Sequence, residues 1–244
     1  MALTEQERAR LAERAAEIIS RYPKPRSALL PLLHLVQATE GFVSTDGIAF
    51  CADQLGLSEA DVTGVVSFYT MYKRHPVGEY HVGVCTNTLC AIMGGDTIHA
   101  ELRDHLGVEG DQPTADGKVS LERVECNAAC DYAPVMVVNW EFFDNMTPES
   151  ARELVDGLRA DADIAPARGA SRLVTWREAA MILAGYPDDQ ATTGHTAAPP
   201  TLAGLRIAKE NGWTSGTPGT ARSAAGNETE SAAGSTGSGN GGRQ

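Results

Sequence analysis

Apolar residues recur at every third or fourth position through the first 76 residues, which is the period of a helix buried on one side. The pattern predicts four helices. The first begins at the capping box Thr4-x-x-Glu7 and ends before Tyr22-Pro23, because proline disfavours helical geometry in its predecessor. The others run from Ala28 to about Glu40, from Ser44 to Leu55, and onward from Ser58. Residues 1–76 are therefore expected to form a helical bundle domain.

The period changes to two after residue 76, as expected for half-buried strands. One strand, residues 80–84, runs directly into Cys85, and another, Val119–Val124, leads to Cys126. A helix lies between them over residues 92–106, and a hairpin and one more helix follow. This order is typical of thioredoxin-like folds, in which helices cover a small mixed sheet. Residues 77–165 are expected to form such a domain.

The hydrophobic pattern weakens after Ala165. Residues 166–213 read as an extended linker, with one short helix over 175–184 and an apolar island over 200–213 that is either a docking segment for a partner or a frayed helix. Residues 214–244 contain no valine, isoleucine, leucine or aromatic residue, so disorder is expected there. The predicted fold class is α+β: an N-terminal helical bundle, a thioredoxin-like α/β domain and a disordered C-terminal tail.

Charge and composition narrow the function. The chain has 20 basic and 32 acidic residues, a net charge of −12, which disfavours nucleic acid as a partner. The N-terminal residues lack the apolar segment of a signal peptide, and no apolar run reaches the roughly 20 residues that span a bilayer. We expect a cytoplasmic protein without direct membrane insertion. In that reducing compartment, clustered cysteines are more often metal ligands or redox groups than disulfides.

Four of the five cysteines form two pairs, Cys85-x4-Cys90 and Cys126-x3-Cys130, with 35 residues between the pairs. Each pair follows a predicted strand, and strand ends that lie side by side would bring four thiolates together. Soft sulfur donors suit either zinc or an iron–sulfur cluster. The spacing alone leaves iron–sulfur, zinc and unligated thiols open.

Three segments carry more specific combinations of residues. They are Cys85-Thr86-Asn87-Thr88-Leu89-Cys90-Ala91-Ile92-Met93-Gly94-Gly95, then Val124-Glu125-Cys126-Asn127-Ala128-Ala129-Cys130-Asp131-Tyr132-Ala133-Pro134, and upstream of both Val66-Ser67-Phe68-Tyr69-Thr70-Met71-Tyr72. In this order they resemble the motifs of the small [2Fe–2S] subunit, known as the E subunit, of bacterial NADH:quinone oxidoreductase, respiratory complex I. The resemblance covers about residues 5–160. It departs from the family within the second cysteine pair, where the family often has glycine and this chain has Asn127-Ala128-Ala129.

The resemblance implies one [2Fe–2S] cluster held by Cys85, Cys90, Cys126 and Cys130, with each pair on one iron. It implies an electron-transfer subunit that exchanges single electrons with FMN on a partner flavoprotein subunit, where NADH is oxidised. In the family this cluster lies off the main electron route, which suggests a one-electron store. The chain has no Gly-x-Gly-x-x-Gly after a strand and no P-loop, so neither nucleotide binding nor independent catalysis is expected of it.

The resemblance also implies further partners and a location. Other peripheral-arm subunits of complex I are expected partners, and the chain is expected on the cytoplasmic face of the inner or plasma membrane, within a membrane-bound complex. Related subunits occur in NAD-linked hydrogenases and formate dehydrogenases, so the identity of the parent complex stays open.

Two other classes of function compete with this one. A stand-alone thioredoxin-like ferredoxin is the first, although such a carrier does not need the helical N-terminal domain. A zinc-stabilised interaction module is the second. Cys51 is expected to be a small buried hydrophobe rather than a ligand. Phe68–Tyr72 is expected in the core of the bundle, with a partner contact as the lesser alternative, and Gly94-Gly95 is expected to cap a helix.

Overall fold

The structure is a computed structural model, and it describes residues 5–110, 112–189, 194 and 196–213. The chain divides into two units, one ending at Leu202 and one beginning at Ala203. Thr4 of the predicted capping box and the tail over 214–244, for which disorder is expected, lie outside the described residues. None of the described helices is long and apolar enough to cross a membrane. The division into domains at residues 76, 165 and 213 stays a prediction.

Helices make up the N-terminal part of the chain, where the hydrophobic spacing predicts them. They are α1 (Glu5–Ser20), α2 (Leu29–Glu40), α3 (Thr45–Leu55) and α4 (Glu59–Phe68), with a 3-10 turn (Pro25–Ala28) before α2. Ser44 caps α3 by accepting a hydrogen bond from the Gly47 N–H. Ser58 and Asp61 form a reciprocal capping box at the start of α4. The apolar faces of these helices enclose one core, which includes Leu11, Ile18, Leu33, Phe50 and Val62.

A mixed four-stranded sheet follows, in the order β2-β1-β3-β4. Its strands are β1 (Tyr80–Cys85), β2 (Val119–Val124), β3 (Met136–Val138) and β4 (Glu141–Phe143). β2 runs parallel to β1, and the connection between them contains α5 (Thr88–Ile92) and α6 (Gly95–Leu106). β3 is antiparallel to β1 and to β4. α6 and α7 (Pro148–Arg159) cover one sheet face, around buried Val82, Ile98 and Leu154. The expected fold class is confirmed.

Helix α8 (Trp176–Leu183) lies in the segment that reads as a linker, at the place where a short helix is predicted. In the structure this helix packs against α2, so this part of the predicted linker is not extended. Trp176 is buried and its Nε1 donates to the Gly41 carbonyl at 2.7 Å. Arg177 donates to the Glu40 carbonyl at 2.9 Å and also contacts the carbonyl of Thr39. These side chains satisfy carbonyls that the end of α2 leaves without helical partners, and sequence periodicity carries no sign of that.

The second unit contains helix α9 (Ala203–Glu210), which covers most of the predicted apolar island. No residue of α9 is buried, and Leu205 and Ile207 are exposed. Arg206 and Glu210 form an ion pair one turn apart, with Nε and Oε1 at 3.8 Å. The island is therefore helical, and its role as a docking segment stays a prediction.

The aromatic segment before the sheet differs from its expected place in the core. Phe68 is 76% exposed and Tyr69 is 43% exposed, at the point where α4 ends. Only Tyr72, among the aromatic residues of this segment, is buried, and its hydroxyl donates to the Leu30 carbonyl at 2.9 Å. The core interpretation was wrong for Phe68 and Tyr69.

A buried polar network lies on the face of the sheet opposite to α6 and α7. The Glu122 carboxylate on β2 pairs with Lys73, which precedes the sheet, and with His81 on β1. Burial alone would raise the pKa of Glu122, but the hydrogen bonds and charges of His81 and Lys73 outweigh burial and lower that pKa from 4.5 to about 2. Because the folded chain holds this carboxylate ionised, the unfolded chain binds the proton first as the pH falls.

We expect Glu122→Gln to lower the free energy of unfolding at pH 7 by about 3 kcal/mol, because it leaves the Lys73 ammonium buried without its anion. The contribution of the carboxylate is present above pH 4.5 and is lost as the pH falls towards 2. The difference between wild type and variant, measured by urea unfolding at several pH values, should therefore shrink below pH 4.5. A difference that is independent of pH would contradict this assignment.

Glu101→Gln is the matched control. Glu101 pairs with Arg152 at 2.7 Å on the surface, where such pairs contribute about 0–1 kcal/mol.

Candidate metal centre

Strand pairing brings the two cysteine pairs to one edge of the sheet. Cys85 is the last residue of β1, and the parallel register places it opposite Val124, the last residue of β2. Cys126 follows Val124 by two residues. Because the carboxyl ends of neighbouring parallel strands lie at the same edge, both loops leave the sheet together.

The first cysteine loop is compact and mostly enclosed. Cys85 and Cys90 are each 3% exposed, and Cys90 lies within the short helix α5. The Cys85 N–H donates to the Val135 carbonyl at 3.1 Å, which ties this loop to the chain after the second cysteine pair. Ala129, Ala133 and Val135 pack around the two sulfurs as a small apolar cluster. Burial of this kind excludes water from one side of the site.

Glycine at position 95 makes this loop sterically feasible. Gly94 has a φ of +113° and caps α6, as expected from the sequence, and Gly95 is the first residue of that helix. A Cβ at Gly95 would lie 2.4 Å from the Cys85 carbonyl oxygen and 2.9 Å from that of Cys90. Sequence reasoning assigned the glycine pair to capping and missed this second role. The close approach between α6 and two backbone carbonyls exists only in the folded chain.

The second cysteine loop is exposed and holds its sulfurs close together. Cys126 and Cys130 are exposed, and their Sγ atoms are 3.5 Å apart. The Ala128 N–H donates to Cys126 Sγ at 3.4 Å, and Ala128 has a φ of +57°. That left-handed conformation costs a residue with a Cβ about 1–2 kcal/mol. The Ala133–Pro134 peptide bond that follows is cis.

Polar contacts also link the two loops. Asn87 in the first loop donates through Nδ2 to Glu125 Oε2 at 2.9 Å, directly before Cys126. Arg123, near the end of β2, pairs with Asp96 in the first turn of α6, with Nη1 and Oδ1 at 2.5 Å. Two polar contacts therefore connect the first loop and the start of α6 to the residues directly before Cys126.

Electrostatic interactions extend across all four thiols. Burial raises the pKa of Cys90 to about 11, a backbone hydrogen bond from Val135 opposes that rise, and Cys85 and Cys130 add to it. The hydrogen bond with Cys126 raises the pKa of Cys130, followed by burial and by the charges of Cys126 and Cys85. Cys90 and Cys130 thus resist ionisation in the folded chain. A bound metal cation would favour the thiolate form of such ligands.

The donor set fits a two-iron cluster. Two thiolates bound at about 2.3 Å to one tetrahedral metal ion lie about 3.8 Å apart, close to the separation of the Cys126 and Cys130 sulfurs. Cys85 and Cys90 form the other pair, joined by a side-chain hydrogen bond. Within the part of the chain that the structure describes, no three His, Cys, Asp or Glu side chains form a single metal-binding group. A [2Fe–2S] cluster takes four thiolates, two on each iron, and two cysteine pairs on neighbouring loops match that number.

The fifth cysteine is buried, as the sequence predicts. Cys51 is fully buried in the helical core, and burial, with the charge of Glu40, raises its pKa to about 12. A thiol in that environment is inert. His105 on α6 hydrogen-bonds Asp156 at 2.7 Å on the surface, away from the cysteines.

Comparison with known proteins identifies the family of this chain. The family model of thioredoxin-like [2Fe-2S] ferredoxins matches residues 15–159, a span that includes α2 to α7, the sheet and all four candidate cysteines. The chain belongs to this family. The predicted thioredoxin-like domain is therefore confirmed by the family of the chain.

The relatives are subunits of respiratory enzymes. The E subunit of NADH-quinone oxidoreductase from Mycobacterium tuberculosis (strain ATCC 25618 / H37Rv) is 61% identical over 204 residues, which is 83% of this chain and 81% of that protein. The corresponding protein of Rickettsia bellii (strain RML369-C) is 38% identical over 150 residues, 60% of this chain and 90% of that protein. NADH dehydrogenase [ubiquinone] flavoprotein 2, mitochondrial, of Dictyostelium discoideum is 37% identical over 59% of each chain. The resemblance to the small [2Fe–2S] subunit is confirmed.

We expect Gly95→Ala to disrupt the site although Gly95 carries no ligand atom. The added methyl group would clash with two backbone carbonyl oxygens, so the backbone of the first loop must move. The free energy of unfolding should fall by about 1–3 kcal/mol. Iron and acid-labile sulfide per chain should fall well below the wild-type values.

Gly64→Ala on α4 is the control, because a Cβ there meets nothing within 4 Å. That variant should keep its iron and gain about 0.5–1 kcal/mol. Wild-type iron content and stability in Gly95→Ala would show that the loop accommodates the methyl group.

Proposed function

We propose that this chain is the [2Fe–2S] electron-transfer subunit of an NADH:quinone oxidoreductase, with Cys85, Cys90, Cys126 and Cys130 as the cluster ligands. The observation that supports this most is the meeting of two cysteine pairs at one sheet edge, in a chain 61% identical to the mycobacterial small subunits. When bound, the cluster supplies one-electron redox chemistry, and the electrons are exchanged with FMN on a partner flavoprotein subunit that oxidises NADH. The chain itself binds neither FMN nor NADH.

The residues around the sulfurs hold and tune the site. The Ala128 N–H stabilises negative charge on the Cys126 sulfur, and the Val135 backbone does so at Cys90. Ala129 and Ala133 exclude water from the inner side of the loops. Hydrogen bonds to sulfur and solvent exclusion are two of the factors that set the reduction potential of such a cluster.

An exposed apolar surface next to Cys90 supports the proposal that a partner protein binds beside the cysteine loops. Leu89, Ile92 and Met93 surround that cysteine in sequence and are exposed, with Ile92 at 78%. Clustered exposed apolar side chains mark surfaces that another protein covers. We assign this surface to the flavoprotein subunit, because electron exchange requires the flavin to approach the cysteine loops.

The relatives with similar sequences also indicate which multi-subunit enzyme contains this chain. The mycobacterial and rickettsial relatives are parts of NADH-quinone oxidoreductase, which supports complex I over a hydrogenase or a formate dehydrogenase as the parent complex. Other peripheral-arm subunits are then further partners, and the location is the cytoplasmic face of the membrane that holds the complex.

Replacement of one ligand tests the proposed cluster. We expect the anaerobically purified, reduced wild-type chain to show one [2Fe–2S] signal in electron paramagnetic resonance, and Cys126→Ala to abolish it, because three thiolates cannot complete the set. Cys51→Ala should keep the signal, since Cys51 lies in the helical core. An unchanged spectrum in Cys126→Ala removes that residue from the ligand set. A colourless, zinc-loaded wild-type chain would establish the interaction module instead.

A charge on the exposed surface tests the partner. Ile92→Glu should leave folding and the cluster signal intact, because the side chain is 78% exposed. Its affinity for the flavoprotein subunit, measured with purified subunits, should fall more than tenfold, because the interface would bury an unpaired carboxylate. Leu183→Glu, at an exposed position on α8 outside the cysteine loops, is the control. Equal affinity in wild type and Ile92→Glu would place the flavoprotein elsewhere.

A further inference from the structure

The chain beyond the span matched by the family model returns to the sheet beside the second cysteine loop. The match ends at residue 159, and Arg168 then forms an antiparallel bridge with Phe142 on the edge strand β4. The Ala167 N–H donates to the Phe142 carbonyl at 2.8 Å. The backbone around Arg168 is therefore held against β4.

The Arg168 side chain contacts the loop itself. Its guanidinium carbon lies 4.3 Å from the centre of the Phe142 ring and 5.2 Å from the centre of the Tyr132 ring, and Tyr132 follows Cys130 by two residues. Arg168 Nε is 3.1 Å from Asp144 Oδ2, and Nη2 donates to Asp144 Oδ1 at 3.2 Å. The two side chains are only 16% and 9% exposed, so this planar, ion-paired group is fixed in place.

A second attachment reaches the residue next to Cys130. The Thr201 hydroxyl donates to Asp131 Oδ2 at 2.5 Å. Arg168 and Thr201 therefore hold the two consecutive residues Asp131 and Tyr132. The loop needs such support, because its cysteines are exposed and Ala128 is held in a left-handed conformation.

We propose that Arg168 and Thr201 together act as a clamp on the second cysteine loop and are positioning residues for Cys130. The clamp limits the movement of the Cys130 sulfur relative to Cys126, so that the pair is arranged before metal binds. It also keeps a cationic group beside the loop. Partners that orient metal ligands typically change metal affinity by about 10–100-fold when they are removed. The consequence for the cluster rests on the proposed function, whereas the restraint on the loop does not.

The test uses the full chain with and without its cluster. In Arg168→Lys the charge remains, but a lysine cannot form the planar, two-point contact with Asp144 or stack on Tyr132. In Thr201→Val the side-chain shape remains and the donor to Asp131 is lost, while Thr201→Ser restores the donor. Arg172→Lys is the matched control. Arg172 follows Arg168 by four residues, and its Nη2 pairs with Asp188 Oδ2 at 3.1 Å at an exposed site.

Hydrogen exchange of the cluster-free chain reports on the loop. We expect the backbone amides of residues 128–133 to exchange several-fold faster in Arg168→Lys and in Thr201→Val than in wild type, with Thr201→Ser and Arg172→Lys at wild-type rates. In the loaded chain, transfer of iron to a chelator should be about tenfold faster in the same two variants, and the reduction potential should change in them and not in the controls.

Wild-type exchange and wild-type iron release in both variants, with circular dichroism unchanged, would overturn the clamp. A wild-type chain that binds no cluster would refute the proposed function alone, because the exchange rates of the loop still decide whether Arg168 and Thr201 restrain it.

Discussion

Hydrogen bonds between β1 and β2 align Cys85 with Val124, and this parallel register is the constraint on which the candidate site depends. The two cysteine pairs are 35 residues apart in sequence, so no local preference brings them together. A parallel pair requires a crossover connection, and α5 and α6 supply it on the way from one cysteine pair to the strand that leads to the other. The same helices thus cover the sheet and deliver the first loop, while Gly95 allows α6 to begin against the carbonyls of that loop.

The two cysteine pairs are held in position by different kinds of contact. Cys85 and Cys90 are buried, and steric fit around Gly95 and Val135 defines their positions. Cys126 and Cys130 are exposed, so their positions depend on a strained backbone and on contacts from elsewhere in the chain. Metal ligands of this kind must be thiolates, so the proposed binding of metal at these cysteines would release protons.

Polar groups connect the helical region to the sheet. The Glu122 carboxylate pairs with both Lys73 and His81, so its removal leaves the Lys73 ammonium buried without its anion. Trp176 and Arg177 of α8 complete the carboxyl end of α2. The helices are thereby attached at defined points to the part that carries the cysteines, and the segment after the family-model match contributes both to this attachment and to the second cysteine loop.

The sequence by itself determined the elements and the chemistry of the site. Periodicity located the helices and strands, and capping residues such as Ser44 and Ser58 marked where helices begin, because these signals arise from neighbours in the chain. The spacing of the cysteines, with the motifs around them, indicated the four candidate ligands. Only the tertiary structure decided that Phe68 is exposed, that α8 packs on α2, that Gly95 meets two carbonyls, and that Arg168 reaches Tyr132. These features depend on how the elements pack together, and neither propensity nor periodicity encodes which surfaces meet.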